Sequence, residues 1–125
     1  FGHLPLQPVG TGREQEIIRD RALEQQLARL APVAYLSGHH HAYYPGWRDG
    51  IRMLAVGNLG GNQRALTGTS IRTGFSFSWL EISPLGEMSI RAFSEENFVG
   101  EVDIKRLPPR LGQGADQLQR EDLRQ

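Results

Sequence analysis

The chain has no cysteine, which excludes a disulfide framework and thiolate metal sites. Histidine, carboxylate and amide groups are left to hold any ion. Excess charge of one sign is missing too: 14 basic residues balance 14 acidic ones, so no global field draws the chain onto nucleic acid or an anionic membrane. Partners are therefore chosen by a local site. No apolar run approaches the roughly 20 residues that span a bilayer, and no signal peptide is visible. The compartment stays open between cytoplasm and periplasm. Lys105 is the single lysine among many arginines, a composition that suggests a GC-rich bacterial source and carries no mechanism. The first residue is Phe1 and a candidate ligand, His3, follows at once. The expectation is that the natural polypeptide begins upstream and that this is a C-terminal portion of it.

What the chain does have is a histidine cluster in a telling place. Gly38, His39, His40 and His41 directly follow the apolar run 33–37. If that run is a strand, extended backbone puts His39 and His41 on one side, about 6.6 Å apart at about 3.3 Å per residue, a spacing suited to two neighbouring metal ions. On a helix the same pair would point nearly opposite ways. Pro32 before the run, and Pro45 and Gly46 after it, favour strand followed by loop.

At 125 residues the chain fits one ordinary domain or a piece of a larger one, with a modest core. Thr11 and Glu14 have capping-box spacing and predict a helix over 13–31. Its apolar positions Ile17, Ile18, Ala22, Leu23, Leu27, Leu30 and Ala31 fall mostly on one flank, and Pro32 stops it. The strand 33–37 reads as a nearly all-apolar element buried in a sheet. Beyond the histidines, 42–44 and 51–57 are expected to pair around a turn at 45–50. A second hairpin joins 75–82 to 87–93 around Pro84 and Gly86, and 98–104 adds an edge strand. In the first arm, Phe75, Phe77 and Trp79 read as core, as do Tyr43, Tyr44 and Trp47 against the first hairpin. The Gly- and Asn-rich stretch 57–74 reads as a long loop beside the histidines. Residues 107–125 are expected to form a flexible polar tail or a frayed helix around 115–124.

In this order the elements resemble the C-terminal half of the calcineurin-like metallophosphoesterases. The matching residues are Gly2-His3-Leu4-Pro5 at a strand end, a helix, an apolar strand ending in Gly38-His39-His40-His41, and then β-hairpins, together covering 1–93. The resemblance implies an α/β fold, half of a four-layer αββα sandwich with one main helix and mixed or antiparallel strands over 1–106. It makes His3 and His39 ligands of one divalent ion and His41 a ligand of a second, the ions being Mn, Fe or Zn. It implies a phosphoester hydrolase in which hydroxide activated by two metals attacks phosphorus in line. Asn58 and Arg64, with Arg72, become candidate substrate contacts, and His40 falls at the variable position. The family's Asp-x-His, Gly-Asp and Gly-Asn-His motifs are absent from this sequence. No catalytic acid is assigned here, and the N-terminal half of the same polypeptide becomes the expected partner.

A blander reading stands beside this one. In it the chain is a non-catalytic, β-rich interaction module whose histidines pick up metal adventitiously, and 57–62 is a plain turn rather than the lining of a substrate groove.

Overall fold

The computed structural model describes residues 1–94 and 96–124. Glu95 and Gln125, the latter the last residue of the expected tail, lie outside the described residues. The fold is mixed α/β with one α-helix and two sheets. Helix α1 spans Arg21–Leu30, not 13–31. Its cap is Asp20, whose side chain accepts from the Leu23 amide at 3.0 Å, the usual service of a short polar side chain at a helix start. The residues expected to open it are occupied elsewhere. Glu14 accepts from the Gly12 amide at 2.9 Å and from the Thr67 hydroxyl at 3.0 Å, and the Thr11 amide donates to the Ala65 carbonyl. The same spacing that suits a capping box here serves loop docking. The helix ends as predicted before Pro32, with Ala31 left-handed at φ 47°.

The main sheet is five-stranded. Its strands are β1 (Tyr35–Ser37), β2 (Tyr44–Arg48), β3 (Ile51–Ala55), β7 (Arg110–Leu111) and β8 (Leu118–Arg120), in the order β1-β3-β2-β8-β7. β1 runs parallel to β3, and β2 and β3 form an antiparallel hairpin. The hairpin turn is narrower than expected: Asp49 and Gly50 alone make it, at φ 50° and 82°. Left-handed conformation at both central residues matches the twist of the strands it joins. Pro45 and Gly46 therefore lie within β2. A Cβ on Gly46 would come within 2.6 Å of the Leu118 side chain, so glycine lets β8 pack closely there.

The second sheet is β4 (Ser76–Ile82), β5 (Met88–Ser94) and β6 (Gly100–Glu101), with the hairpin close to its predicted bounds. Its facing is the reverse of what was expected. Ser76 and Ala92 are buried, whereas Phe77 and Trp79 are 37% and 53% exposed. Small residues on the inner side let the sheet come close to the core, and the two-residue pleat then turns the aromatics outward.

Successive residues of β3 face opposite sides. Arg52 reaches the Met88 carbonyl of the second sheet, while Arg48, opposite Ile51, lies against Glu24 of α1. Helix, main sheet and second sheet are thus three successive layers around one core that includes Leu6, Val9, Tyr43, Tyr44, Leu54 and Leu66. Tyr43 and Tyr44 are fully buried, in keeping with a packing role. No helix among the described residues is long and apolar enough to cross a membrane.

The stretch from Leu107 onward is a correction. It was expected to be a flexible tail or a frayed helix around 115–124, yet it supplies β7 and β8 and buries Leu107, Leu111 and Leu118. Strands of two or three residues are too short to show a hydrophobic period. Arg120 fixes this segment, donating to the Leu107 carbonyl at 2.6 Å and to both Asp122 carboxylate oxygens at 2.6 and 3.1 Å. That pairing holds the Asp122 carboxyl below its ordinary range, against a smaller opposing effect of desolvation.

Arg120→Ala should cost about 2–3 kcal/mol in urea denaturation, because it strands a carbonyl and a carboxylate together. Asp122 titrates lower in the folded protein than in the unfolded chain, so its contribution is present above about pH 4 and is lost as pH falls further. Asp122→Asn should therefore be less stable than wild type at pH 7, with the gap closing in acid.

Candidate metal centre

The first histidine reaches the site by strand adjacency. Gly2 bridges to Ser37 in parallel, the Gly2 amide donates to the Leu36 carbonyl at 2.9 Å, and the Gly38 amide donates to the His3 carbonyl at 3.1 Å. His3 and His39 therefore emerge side by side from the carboxyl ends of two parallel extended segments, the end of an α/β sheet where ligands usually bind. His3 Nε2 and His39 Nδ1 are 3.0 Å apart, with ring centroids at 4.9 Å.

The backbone through the cluster is not extended as expected. His39 and His41 are left-handed, at φ 65° and 53°. The extended alternation expected to set His39 and His41 on one side is therefore not what the backbone does, whereas His3 and His39, paired by the family resemblance, do lie side by side. Left-handed non-glycine residues cost on the order of 1 kcal/mol each and persist where surrounding contacts impose them. Here the imposing contact is His40, which is fully buried. Its Nδ1 accepts from the Val9 and Gly10 amides at 3.2 and 2.9 Å, and its Nε2 lies 2.9 Å from the Glu16 carbonyl. Two backbone donors on Nδ1 leave the proton on Nε2, so the ring is neutral and donates to Glu16. Burial pushes its pKa below the ordinary range. His40, which the resemblance leaves without an ion to bind, is a fully buried structural residue. Gly10 is needed for the contact, since a Cβ there would sit 2.5 Å from the His40 carbonyl oxygen.

His41 has a different neighbour. Its Nδ1 is 2.6 Å from the Asn62 carbonyl, so Nδ1 carries the proton and Nε2 is left as the free nitrogen. The loop 57–74 does lie beside the histidines: the Arg64 amide donates to the His41 carbonyl and its guanidinium reaches the His39 carbonyl at 3.4 Å. Asn58 turns its amide nitrogen to the carbonyls of Gly60 and Asn62, which braces the loop. Arg72 donates to the Gln63 carbonyl.

The His3–His39 pair fits a shared cation. Two imidazole nitrogens each about 2.1 Å from one ion lie about 3.0 Å apart at a right angle and about 3.4 Å apart at a tetrahedral one. Among the described residues no group of three or more His, Asp or Glu side chains converges tightly enough to hold an ion alone. The nearest carboxylate is Glu16, with Oε1 3.5 Å from His39 Nε2 and Oε2 2.9 Å from Arg13. Desolvation opposes its ionisation, but Arg13 and His39 still hold it below the usual carboxylate range. Sequence reasoning missed both Glu16 and the Asn62 carbonyl. Glu16 was assigned to a helix, and a backbone acceptor leaves no mark in a sequence. Comparison with protein-family models, curated proteins and solved structures finds no match to this chain.

His40→Ala should lose about 2–4 kcal/mol of stability, since it leaves two amides and a carbonyl without partners in the interior. His41→Ala, at a more exposed ring, should lose less than 1 kcal/mol. Chemical denaturation of the two variants separates the structural histidine from its neighbour.

Proposed function

We propose that the chain is part of a metal-dependent phosphoester hydrolase of the calcineurin-like type. In this reading His3 and His39 hold one divalent ion and His41 a second, while carboxylate and amide ligands and the acid histidine come from polypeptide outside these 125 residues. The observation that carries it is the 3.0 Å approach of His3 Nε2 to His39 Nδ1 at adjacent parallel strand ends. When bound, a pair of divalent ions lowers the pKa of a water and offsets charge on phosphoryl oxygens. The chain's own part is to present neutral nitrogens from a strand end, His3, and from the loop after β1, His39 and His41, and to set Arg64 and the amides of 57–62 around an anionic ester. The layering also supports the reading. A four-layer αββα sandwich needs a cover on the outer face of the second sheet, and that face carries exposed Phe77 and Trp79 with Phe93 stacked on Phe77 at 5.4 Å.

The same aromatic face favours the second reading, an interaction module without catalysis. Metal analysis separates the two. In the polypeptide that carries this chain, purified with manganese or zinc, His3→Ala and His39→Ala should each lower bound metal and abolish turnover of an aryl phosphate ester. Unchanged metal content in both variants, with no turnover by wild type, would sink the hydrolase and leave the module.

A further inference from the structure

Glu16 addresses the side of the His39 ring that His3 does not. His39 Nδ1 and His3 Nε2 share a hydrogen bond at 3.0 Å, in which a proton on one ring meets the lone pair of the other, and His39 Nε2 faces Glu16 Oε1 at an ion-pair distance of 3.5 Å. The two nitrogens of an imidazole point away from each other, so a carboxylate on Nε2 cannot share an ion held at Nδ1. Glu16 is also fixed at both ends. Arg13 Nη1 lies 2.9 Å from Oε2 and donates at 3.3 Å to Oε1, the oxygen that faces His39, and the Glu16 main chain is tied to His40 at 2.9 Å and to the Arg13 carbonyl at 2.9 Å. A neutral imidazole has one proton, and whichever nitrogen carries it has no lone pair for a metal. The acceptor opposite one nitrogen therefore selects the other as ligand.

We propose that Glu16 is a positioning residue that keeps the His39 proton on Nε2 and leaves the Nδ1 lone pair facing His3 for a divalent cation. The cation half rests on the hydrolase reading, and the tautomer half does not. The assignment also explains a contrast within the cluster. His41 is set the opposite way by the Asn62 carbonyl at its Nδ1, so the two candidate ligands offer different ring nitrogens although they are two residues apart.

The test is the ring-nitrogen spectrum of the nitrogen-15-labelled 125-residue chain, with and without zinc. In wild type, His39 should show a proton-bearing Nε2 and an unprotonated Nδ1. Glu16→Ala should raise the Nδ1-protonated fraction and weaken the apparent zinc Kd about tenfold, within the range known for ligand-orienting carboxylates. Glu16→Gln keeps a side-chain acceptor and should restore the wild-type tautomer. A wild-type His39 protonated on Nδ1 would overturn the proposal. So would a tautomer ratio indifferent to Glu16→Ala while the His40 signals stay in place. If Glu16→Ala does not fold, the wild-type spectrum and Glu16→Gln still decide the matter. Zinc in large excess that leaves the His3 and His39 signals unmoved in wild type would overturn the cation half, whatever the tautomer proves to be, while the hydrolase reading is decided separately by metal content and turnover in the longer polypeptide.

Discussion

The imidazole of His40 is the pin on which the histidine cluster turns. It accepts from the Val9 and Gly10 amides and donates to the Glu16 carbonyl, joining the N-terminal segment to the loop after β1. A buried polar ring is tolerated only when its nitrogens are satisfied, and here both are. Because the three partners are main-chain groups, the ring fixes backbone positions rather than side chains. It thereby holds residues on either side of itself, His39 and His41, in left-handed conformations that neither would adopt freely. The middle histidine has both ring nitrogens taken up by main-chain groups and braces the backbone on either side of it.

Strand geometry supplies the other half of the placement. Parallel neighbours finish at the same edge of a sheet, so the short bridge between Gly2 and Ser37 carries His3 to His39 across 36 residues of sequence. Around them the loop 57–74 contributes mainly backbone: carbonyls of Asn62 and Gln63 and amides near Arg64. A site built largely from main-chain contacts keeps its shape through surface substitutions, and its second layer cannot be inferred from residue types.

How much of this was legible follows from what a sequence encodes locally. The hairpin β4–β5 was readable because Pro84 and Gly86 punctuate two alternating runs, and the end of α1 because Pro32 cannot continue a helix. The start of α1 was not. Thr11 and Glu14 satisfy a local capping rule that tertiary contacts with Ala65 and Thr67 override. The direction of the β4 aromatics escaped for a related reason. Alternation shows that Phe77 and Trp79 share a face, but only close packing at Ser76 and Ala92 decides which face is buried. In β7 and β8, arginines and glutamines between the buried leucines gave a polar average, and the Arg120 contacts that hold the segment are tertiary. The pairing of His3 with His39 was anticipated from the order of the motifs, whereas the local backbone that achieves it was not.

Charge gives the cluster its chemical character. On the hydrolase reading, neutral imidazoles bind dications without neutralising any of their charge, so the ion on His3 and His39 and the ion on His41 each keep a formal double positive charge in a partly desolvated setting. Glu16 does not offset this, because its carboxylate is engaged by Arg13 and faces the far side of His39. Arg64 beside the His39 carbonyl adds a further positive charge. On the same reading, the field with the ions bound would favour an anion next to the histidines, as a phosphoester requires. It also means that tight cation binding needs carboxylates from elsewhere. Three neutral ligands, His3 at one strand end and His39 and His41 on the loop after β1, with acidic ligands supplied by another segment, would couple metal affinity to assembly of the two parts. On the hydrolase reading, that coupling makes activity a property of the joined site rather than of either portion.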